Sequence, residues 1–346
     1  MNKILKRILI VGGVVVGVVI VAATGGVSYI LLSYNRIGDQ TLNIDNKATN
    51  AKVKTGVSYK ALSYNIGFSA YSQDYTFFLD TGYDADGNPT VGYYSKARSK
   101  EAVEFNIGGA IKTAKEENPD FVLFQDWSSD VCSSDLLSKF KVVSAERKQY
   151  TVSDSFSKYF DLDRCYSVQR FDVENGKSLY VVNSHMSAYD EGGTIRAKQI
   201  EELNSFLLER KQNDDYVIVG GDWNHDLLTG NPAYSYDEEN VPFGKEYPGA
   251  NYKKPDWVAT LFNEDGSSPF ADGYEIVASD DNPTCRNNDI EWDPAKTFVC
   301  CVDGFIVSDN IEVTDHYNIQ TKQGDKGLDG FAYSDHEPTA LEFRLK

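Results

Sequence analysis

The sequence predicts an α/β domain with a mixed β core, preceded by one transmembrane helix, and three observations lead to that prediction. Strand-like runs alternate with amphipathic helices from residue 57 to residue 346. Two of the strand-like runs are joined by Asn175-Gly176, a pair typical of a hairpin turn, so the sheet is not purely parallel. Residues 8–32 are a run of 25 residues without a charge.

The uncharged run near the N-terminus is predicted to be a membrane anchor. It exceeds the roughly 20 residues that a bilayer needs, and Lys3, Lys6 and Arg7 stand before it. Since positively charged flanks stay in the cytoplasm, we expect residues 1–7 inside the cell and residues 8–32 across the cell membrane as a single pass. The remainder is then extracellular and begins with a polar tether at residues 33–56. A signal peptide cleaved near residues 21–23 is the alternative, although the apolar run continues past that site.

The exported part of the chain is strongly acidic. Without the three basic residues of the N-terminus it has 31 basic and 52 acidic residues, a net charge of −21. Such a surface repels polyanions at long range. It argues against tight, nonspecific binding of nucleic acid, which depends on Lys and Arg contacts to phosphates. It leaves room for a site in which a cation handles a single phosphate.

The five cysteines allow a disulfide bond but do not require one. Cys300 and Cys301 are adjacent on a predicted strand, so their side chains point to opposite faces. One of them could pair with Cys285, because an exported domain meets an oxidising environment. Buried free thiols are the alternative.

Within the exported domain the predicted elements follow one another with breaker residues between them. The helix at residues 100–117 ends at an Asn-Pro pair, and its predicted apolar face consists of Val103, Ile107, Ala110, Ile111 and Ala114. A second helix, at residues 194–211, is followed almost at once by a strand. The predicted strands cover residues 57–64, 120–125, 141–150, 167–173, 178–183, 216–220, 297–308 and 337–345.

Acids, amides and histidines stand where several of these strands begin or end. Strand ends are where an α/β scaffold assembles a site from distant segments. Each group alone has an ordinary explanation, since Asp and Asn form turns and a histidine can be structural. Their occurrence together in one chain favours a site. The groups are Asn65 in SYNIGF, His185 in NSHMS, Asp222, Asn224 and His225 in GGDWNHD, Asp303 in CVDGFIVS, and Asp335 and His336 in YSDHEP.

The order of these motifs resembles the endonuclease/exonuclease/phosphatase superfamily, which has the deoxyribonuclease-I-like fold. The resemblance runs from about residue 59 to residue 346, and its specific part is GDWN followed much later by SDH. It implies a four-layer α/β sandwich of two mixed β-sheets flanked by helices. It also implies hydrolysis of a phosphoester with Mg²⁺, or with Mn²⁺ or Ca²⁺ as alternative ions, and Asn65, Asp126 and Asp335 would approach that metal. Mg²⁺ prefers oxygen ligands and keeps several waters, so one or two carboxylates suffice.

The resemblance gives the remaining site residues roles around the phosphate. Asp222 would orient or deprotonate the attacking water, and Asn224 would hold that water or a phosphate oxygen. His185 and His336 would donate hydrogen bonds to the phosphate. Asp303 would fix the tautomer of one of the two histidines, and the sequence leaves open which one.

The strand at residues 120–125 is followed by Asp126, where the superfamily has a Glu as its principal metal ligand. Asp126 can substitute for that Glu with a side chain one methylene shorter. However, residues 126–136, DWSSDVCSSDL, resemble the in-frame translation of a sequencing-library adapter. The superfamily also has several tens of residues more before the segment that begins LSKFK here. We therefore expect a junction at which a segment was lost, including the acid that pairs with one catalytic histidine, so that Asp126 stands at its position by accident and Trp127 and Cys132 have no function.

The expected function is hydrolysis of a phosphoester outside the membrane. The substrate classes of the superfamily are nucleic acids, phospholipids and small phosphodiesters, and the acidic surface and the anchor favour a lipid or small phosphodiester over DNA. One alternative is a surface protein that keeps the fold for binding without catalysis. Another is that this chain is an inactive chimeric reading frame. No protein partner is predicted.

Overall fold

The structure, a computed structural model, describes residues 3–34, 36–48, 52–84, 86–127, 134–152, 156–159, 163–188, 193–236, 242–243, 255, 257–323 and 328–346. The chain divides into two units, residues 1–37 with 152–161 and residues 38–151 with 162–346. The first unit contains helix α1 (Lys3–Ser33), and its segment Leu9–Leu32 is long and apolar enough to cross a membrane, by length and composition. The second unit contains the predicted catalytic domain.

Two further helices and sixteen strands are found in the described residues of the second unit. The helices are α2 (Lys100–Glu117) and α3 (Thr194–Gln212). The strands are β1 (Gln40–Thr41), β2 (Ser58–Asn65), β3 (Thr81–Tyr83), β4 (Pro89–Val91), β5 (Phe121–Gln125), β6 (Ser134–Ser138), β7 (Ser144–Gln149), β8 (Cys165–Asp172), β9 (Ser178–His185), β10 (Tyr216–Asp222), β11 (Tyr274–Val277), β12 (Cys285–Arg286), β13 (Val299–Cys300), β14 (Asp303–Ser308), β15 (Ile311–Asn318) and β16 (Thr339–Leu345).

The strands form two large mixed sheets and two short ribbons. The larger sheet has the order β1-β7-β8-β9-β10-β14-β11, and the smaller sheet has the order β15-β16-β2-β5-β6. Each large sheet contains one parallel pair, β9 with β10 and β2 with β5, and its other pairs are antiparallel. The ribbons pair β3 with β4 and β12 with β13. The hairpin predicted from Asn175-Gly176 joins β8 to β9.

Alternate residues of the central strands pack against different layers. Ile218 of β10 and Leu123 of β5 belong to one apolar cluster between the two sheets. Val219, the next residue of β10, packs with Leu203 of α3 on the outer face of the larger sheet. Helix α2 covers the outer face of the smaller sheet in the same way. The domain is therefore a four-layer α/β sandwich, as the resemblance predicts, and the period-2 alternation of two apolar faces builds it.

Several element boundaries differ from those predicted. Helix α2 begins and ends where the sequence places it, but its buried residues are Asn106, Gly109, Ala110 and Ala114, so the buried face is rotated from the predicted one. The predicted strand at residues 297–308 is two strands, β13 and β14. The break arises where Thr284 accepts hydrogen bonds from the backbone at residues 302 and 303. Strand β15 was not predicted, because it has the largely polar sequence IEVTDHYN at a sheet edge. The other strands that were not predicted are β1, β3, β4, β6, β11 and β12.

Part of the predicted tether belongs to the sandwich. Strand β1 pairs with β7 at the edge of the larger sheet. Val53 is fully buried in the cluster between the sheets and forms a bridge with Val173. The described residues of 33–56 therefore contact the domain along much of their length, for example where Val142 donates from its backbone nitrogen to Oδ1 of Asn46 at 3.0 Å.

The four cysteines in the described residues are buried free thiols. Cys285 lies opposite Cys300 in the β12–β13 ribbon. Cys132 lies outside the described residues. The arrangement corresponds to the free-thiol alternative.

Two neighbouring glycines of α2 provide a matched test of this packing. A Cβ on exposed Gly108 would meet nothing within 4 Å, whereas a Cβ on buried Gly109 would lie 2.1 Å from the ring of Tyr333. Gly108→Ala should raise the free energy of unfolding by about 0.5–1 kcal/mol, because Ala is the better helix former. Gly109→Ala should lower it by about 1–3 kcal/mol, because the ring must move. Urea denaturation of both variants measures the difference, and equal effects would contradict the described contact of α2.

Candidate active site

Three adjacent strands of the larger sheet meet at one level and carry three of the predicted site residues. His185 is the last residue of β9, Asp222 is the last of β10, and Asp303 is the first of antiparallel β14. In the sheet register Asp222 lies opposite His185 on one side and opposite Asp303 on the other. All three residues are at most 2% exposed. The sheet therefore holds an imidazole and two carboxylates side by side in a buried row.

The smaller sheet and the loop before β16 complete this row. Asn65, the last residue of β2, donates a hydrogen bond from Nδ2 to Oδ2 of Asp222 at 2.9 Å. His336 donates from Nδ1 to Oδ2 of Asp303 at 2.8 Å. The other ring nitrogen of His336, Nε2, lies 3.7 Å from Oδ2 of Asp222. The histidine that Asp303 orients is therefore His336, a choice that the sequence left open.

His185 is surrounded by a second set of charged groups. Its Nε2 lies 3.2 Å from Oδ2 of Asp222, and its Nδ1 lies 3.4 Å from Oδ1 of Asp126. Arg164, which directly precedes β8 and is 7% exposed, places a guanidinium nitrogen against Nε2 of His185. One guanidinium and two carboxylates therefore meet at one imidazole.

The pKa values at His185 follow from burial and from these opposite charges. Burial and Arg164 lower the pKa of His185, but Asp126 and Asp222 more than offset them and raise it to about 9. Burial raises the pKa of Asp222, yet His336 and His185 hold it well below its ordinary range. At neutral pH the imidazole is therefore a cation beside an ionised carboxylate.

The Asp303–His336 pair is likewise ionised at neutral pH. Burial raises the pKa of the Asp303 carboxyl to about 6, although His336 opposes that rise. Burial lowers the pKa of His336, but the carboxylate of Asp303 raises it well above the ordinary value. The Nε2–H of His336 is therefore a charged donor that faces Asp222.

The GGDWN motif has a structural reason for its small and polar residues. A Cβ on Gly221 would lie 1.8 Å from the backbone oxygen of Ser184 on β9, so only glycine allows this approach. Asp222 Oδ1 accepts a hydrogen bond from the backbone nitrogen of Asn224 at 2.8 Å. Asn224 has a φ of +49°, which Asn tolerates, and its Nδ2 donates to the backbone oxygen of Met186 at 2.9 Å. The motif thus fixes the position of Asp222.

The three residues assigned to the metal ion border the loop after β2. Asn65 Oδ1 accepts a hydrogen bond from the backbone nitrogen of Gly67 at 2.9 Å. A Cβ on Gly67 would lie 2.7 Å from Oδ1 of Asp335. The backbone oxygen of Asp126 accepts from the nitrogen of Phe68 at 3.0 Å. The glycine keeps space open beside the carboxylate of Asp335, and carboxylate and amide oxygens are ligands that Mg²⁺ prefers, so Asn65 and Asp335 fit the ion. The carboxylate of Asp126 lies instead 3.4 Å from Nδ1 of His185.

A second group of side chains could also hold a cation. Ligand atoms of Asp222, Asp303 and His336 lie within 4.8 Å of one another. Their mixed nitrogen and oxygen donors suit a transition metal better than Mg²⁺. Because Nδ1 of His336 already donates to Asp303, the trio is also arranged for hydrogen bonding to a substrate.

Two polar residues beside the site were missed in the sequence. Arg164 contacts His185, and Asn288 donates a hydrogen bond from Nδ2 to Oδ2 of Asp335 at 2.8 Å. The hairpin register could have revealed Arg164, because the next residue, Cys165, lies opposite His185. Asn288 lies in an irregular loop, where no periodic pattern fixes a position.

Solved structures give matches for this chain, whereas no family model and no curated protein sequence matches it. Truncated Caenorhabditis elegans TDP2 is 14% identical, with 84% of this chain and 99% of that chain covered and a TM-score of 0.51. D. rerio TDP2 complexed with a single-strand DNA product is 12% identical, with 83% and 99% covered and a TM-score of 0.51. An endonuclease/exonuclease/phosphatase family protein from Bacteroides thetaiotaomicron is 12% identical, with 84% and 98% covered and a TM-score of 0.48, which is too low to carry weight. At these identities the TDP2 matches show the fold alone, and that fold agrees with the α/β sandwich of two mixed sheets described above.

Asp303→Asn should lower the pKa of His336, because the buried carboxylate is the charge that raises it. An NMR titration of the imidazole Cε1–H signals in the metal-free full chain measures the change. His185 is the internal control, because Asp126 and Asp222 raise its pKa. An unchanged pKa at His336, or an equal fall at His185, would contradict the described pairing.

Proposed function

We propose that this protein is a metal-dependent phosphoester hydrolase. The proposal rests on the groups that surround one buried carboxylate oxygen, Oδ2 of Asp222. It lies 2.9 Å from Nδ2 of Asn65, 3.2 Å from Nε2 of His185 and 3.7 Å from Nε2 of His336. A base next to several donors matches the needs of water attack on a phosphate, where a proton leaves the water while charge builds on the phosphate oxygens.

The side chains of this row have distinct proposed tasks. Asp222 orients the attacking water and takes its proton. His185 and His336 donate hydrogen bonds to the phosphate oxygens, where preorganised charged donors are most effective. Asp303 keeps the Nε2–H of His336 available by accepting from Nδ1.

Asn65, Asp126 and Asp335 would hold the metal ion, with Mg²⁺ as the first candidate and Mn²⁺ or Ca²⁺ as alternatives. Bound there, the ion would neutralise charge on the phosphate and steady the leaving oxygen. The side-chain nitrogen of Asn224 donates to the backbone oxygen of Met186 just after β9, so the side-chain oxygen Oδ1 is the atom proposed to hold the water. Arg164 adds a guanidinium for a phosphate oxygen.

The proposed substrate is a lipid or small phosphodiester rather than DNA. The net charge of −21 outside the N-terminus supports this choice, because a duplex would be repelled at long range. Nucleic acid is the second candidate, since the similar D. rerio TDP2 structure contains a single-strand DNA product. Hydrolysis of DNA, RNA, sphingomyelin and inositol phosphates should be compared in Mg²⁺. A clear preference for duplex DNA would overturn the lipid or small-molecule assignment.

We also propose that α1 is a single-pass anchor that holds the catalytic domain outside the cell membrane. The support is the apolar segment Leu9–Leu32 and the basic residues before it. Extraction of membranes with alkali should leave the full chain in the pellet. N-terminal sequencing of the mature protein distinguishes an anchor from a cleaved signal peptide, and a mature chain that begins after residue 23 would refute the anchor.

We propose, finally, that residues 126–136 mark a junction where a longer segment is missing. The adapter-like sequence and the short distance to the next segment support this idea. Cys132 lies outside the described residues, and Trp127 packs on the apolar side of the smaller sheet, 5.0 Å from Phe124 between ring centres. Reading the nucleotide sequence across codons 125–137 from intact source DNA tests the proposal. An uninterrupted gene that encodes these residues would refute it.

Asp222→Asn should lower kcat by about 10²–10⁴-fold, because it removes the proposed base. The matched control is Asp214→Asn, just before the other end of β10, which loses an exposed pair with Lys177. The measurement is steady-state hydrolysis in Mg²⁺, with circular dichroism to confirm the fold. Unchanged hydrolysis in the Asp222 variant would favour a surface protein that binds without catalysis.

Asp126→Glu should tighten Mg²⁺ binding, because the longer side chain reproduces the ligand of the superfamily. The control is Asp120→Glu, the same exchange just before the opposite end of β5, where Asp120 accepts a hydrogen bond from the nitrogen of Lys60. Isothermal titration calorimetry with Mg²⁺ compares the two variants. Equal or weaker binding in the Asp126 variant would argue against a metal position at this residue.

A further inference from the structure

The β3–β4 region displays apolar side chains that the domain does not cover. Phe78, Leu79, Val91 and Tyr93 are 47%, 53%, 63% and 82% exposed. We call these four residues the hairpin patch. Large apolar side chains grouped in this way on a soluble domain are typical of an interaction surface.

The two segments that supply the hairpin patch are bonded together through their backbones. Phe78 donates from its backbone nitrogen to the oxygen of Tyr94 at 3.0 Å, and Gly92 donates to the oxygen of Asp80 at 3.0 Å. A Cβ on Gly92 would lie 2.1 Å from the backbone oxygen of Phe77, so the segments are in close contact. The exposed side chains therefore stand on a fixed backbone.

A basic stretch follows the hairpin patch in a chain that is otherwise acidic. Residues 87–100 contain Lys96, Arg98 and Lys100 and no acid, and all three basic residues are exposed. Arg98 lies over the ring of Tyr94, 5.4 Å from its centre, and forms an ion pair with Asp74. Exposed aromatic and basic side chains thus follow one another in this stretch of the chain.

The hairpin patch is connected to the candidate active site through Asn288. The backbone oxygen of Asn288 accepts a hydrogen bond from Phe77 at 2.8 Å, and its side chain donates to Asp335 at 2.8 Å. Its backbone nitrogen donates to Oδ2 of Asp80 at 3.1 Å. A surface bound at the hairpin patch would therefore lie near the phosphoester site.

We propose that the hairpin patch docks on the surface of a phospholipid bilayer. Aromatic side chains favour the boundary between headgroups and acyl chains. A basic side chain such as Lys96 favours anionic headgroups at contact distance, because salt screens the charge of the rest of the domain beyond about 8 Å. The chain itself carries an apolar helix long enough to span a bilayer, which in the proposed anchor role attaches the domain to a membrane. The proposal rests on the proposed anchor, and it assigns a lipid phosphoester as the substrate class presented to the site.

The test places a fluorescent reporter on the hairpin patch of the full chain. Tyr93→Trp is compared with Leu208→Trp, which puts the same reporter at a 48% exposed apolar position of α3. Each variant is reconstituted into vesicles that contain brominated phosphatidylcholine and anionic phosphatidylserine. Bromine quenches only nearby indoles, and α1 contains no Trp to contribute background.

The expected result is that quenching of the Tyr93→Trp protein, relative to wild type, exceeds that of the Leu208→Trp protein. Lys96→Glu in the Tyr93→Trp background should reduce the excess in anionic vesicles. Equal quenching of the two reporters would overturn the proposal. That conclusion would hold even if the protein proved to be a dimer in the membrane that uses the hairpin patch as its interface. Flotation of the vesicles reports separately on the anchor, and hydrolysis of a soluble phosphoester reports separately on the proposed enzyme activity.

Discussion

The register of β9, β10 and β14 is the constraint on which the candidate site depends. A slip of one residue would turn each side chain to the other face of the sheet and separate His185, Asp222 and Asp303. Gly221 permits the approach of β10 to β9. Thr284 accepts a hydrogen bond from the backbone nitrogen of Asp303 at 3.1 Å and so sets where β14 begins. The pairing of the backbones therefore decides which side chains meet at this end of the sheet.

Burial of so many charged groups is tolerable only because opposite charges meet. An isolated carboxylate in such a place would cost several kcal/mol, whereas Asp222 lies between two imidazoles. The same place concentrates backbone strain, since Phe68, Asp126 and Asn224 all have φ near +50°. A residue such as Phe68 keeps this conformation only where its surroundings impose it. The surrounding fold thus imposes the backbone conformation at the site.

Local signals in the sequence predicted the bounds of helices and several strands. They did not predict which side chains contact each other across distant segments. The bounds of α2 follow from the Ser99 cap, whose hydroxyl accepts from the nitrogen of Ala102, and from Asn118 in the left-handed conformation. The acids, amides and histidines at the strand ends predicted that these side chains would lie together, because residue type and strand position can both be read from the sequence. The partner of Asp303 was not predictable, since two histidines match it equally until the strand order is known. Arg164 differs from this case, because the register of the predicted β8–β9 hairpin is what places it at His185.

Asp126 is the position where the proposed junction and the proposed chemistry conflict. Its Oδ1 lies 3.4 Å from Nδ1 of His185, so its charge already balances an imidazolium. A cation held by the same carboxylate would compete for that charge and would lower the pKa of His185. The resemblance assigns these two tasks to separate acids, a Glu for the metal and another acid for the histidine. If a segment is missing here, its loss therefore affects the histidine as well as the metal, because one short carboxylate cannot balance both cations at full strength.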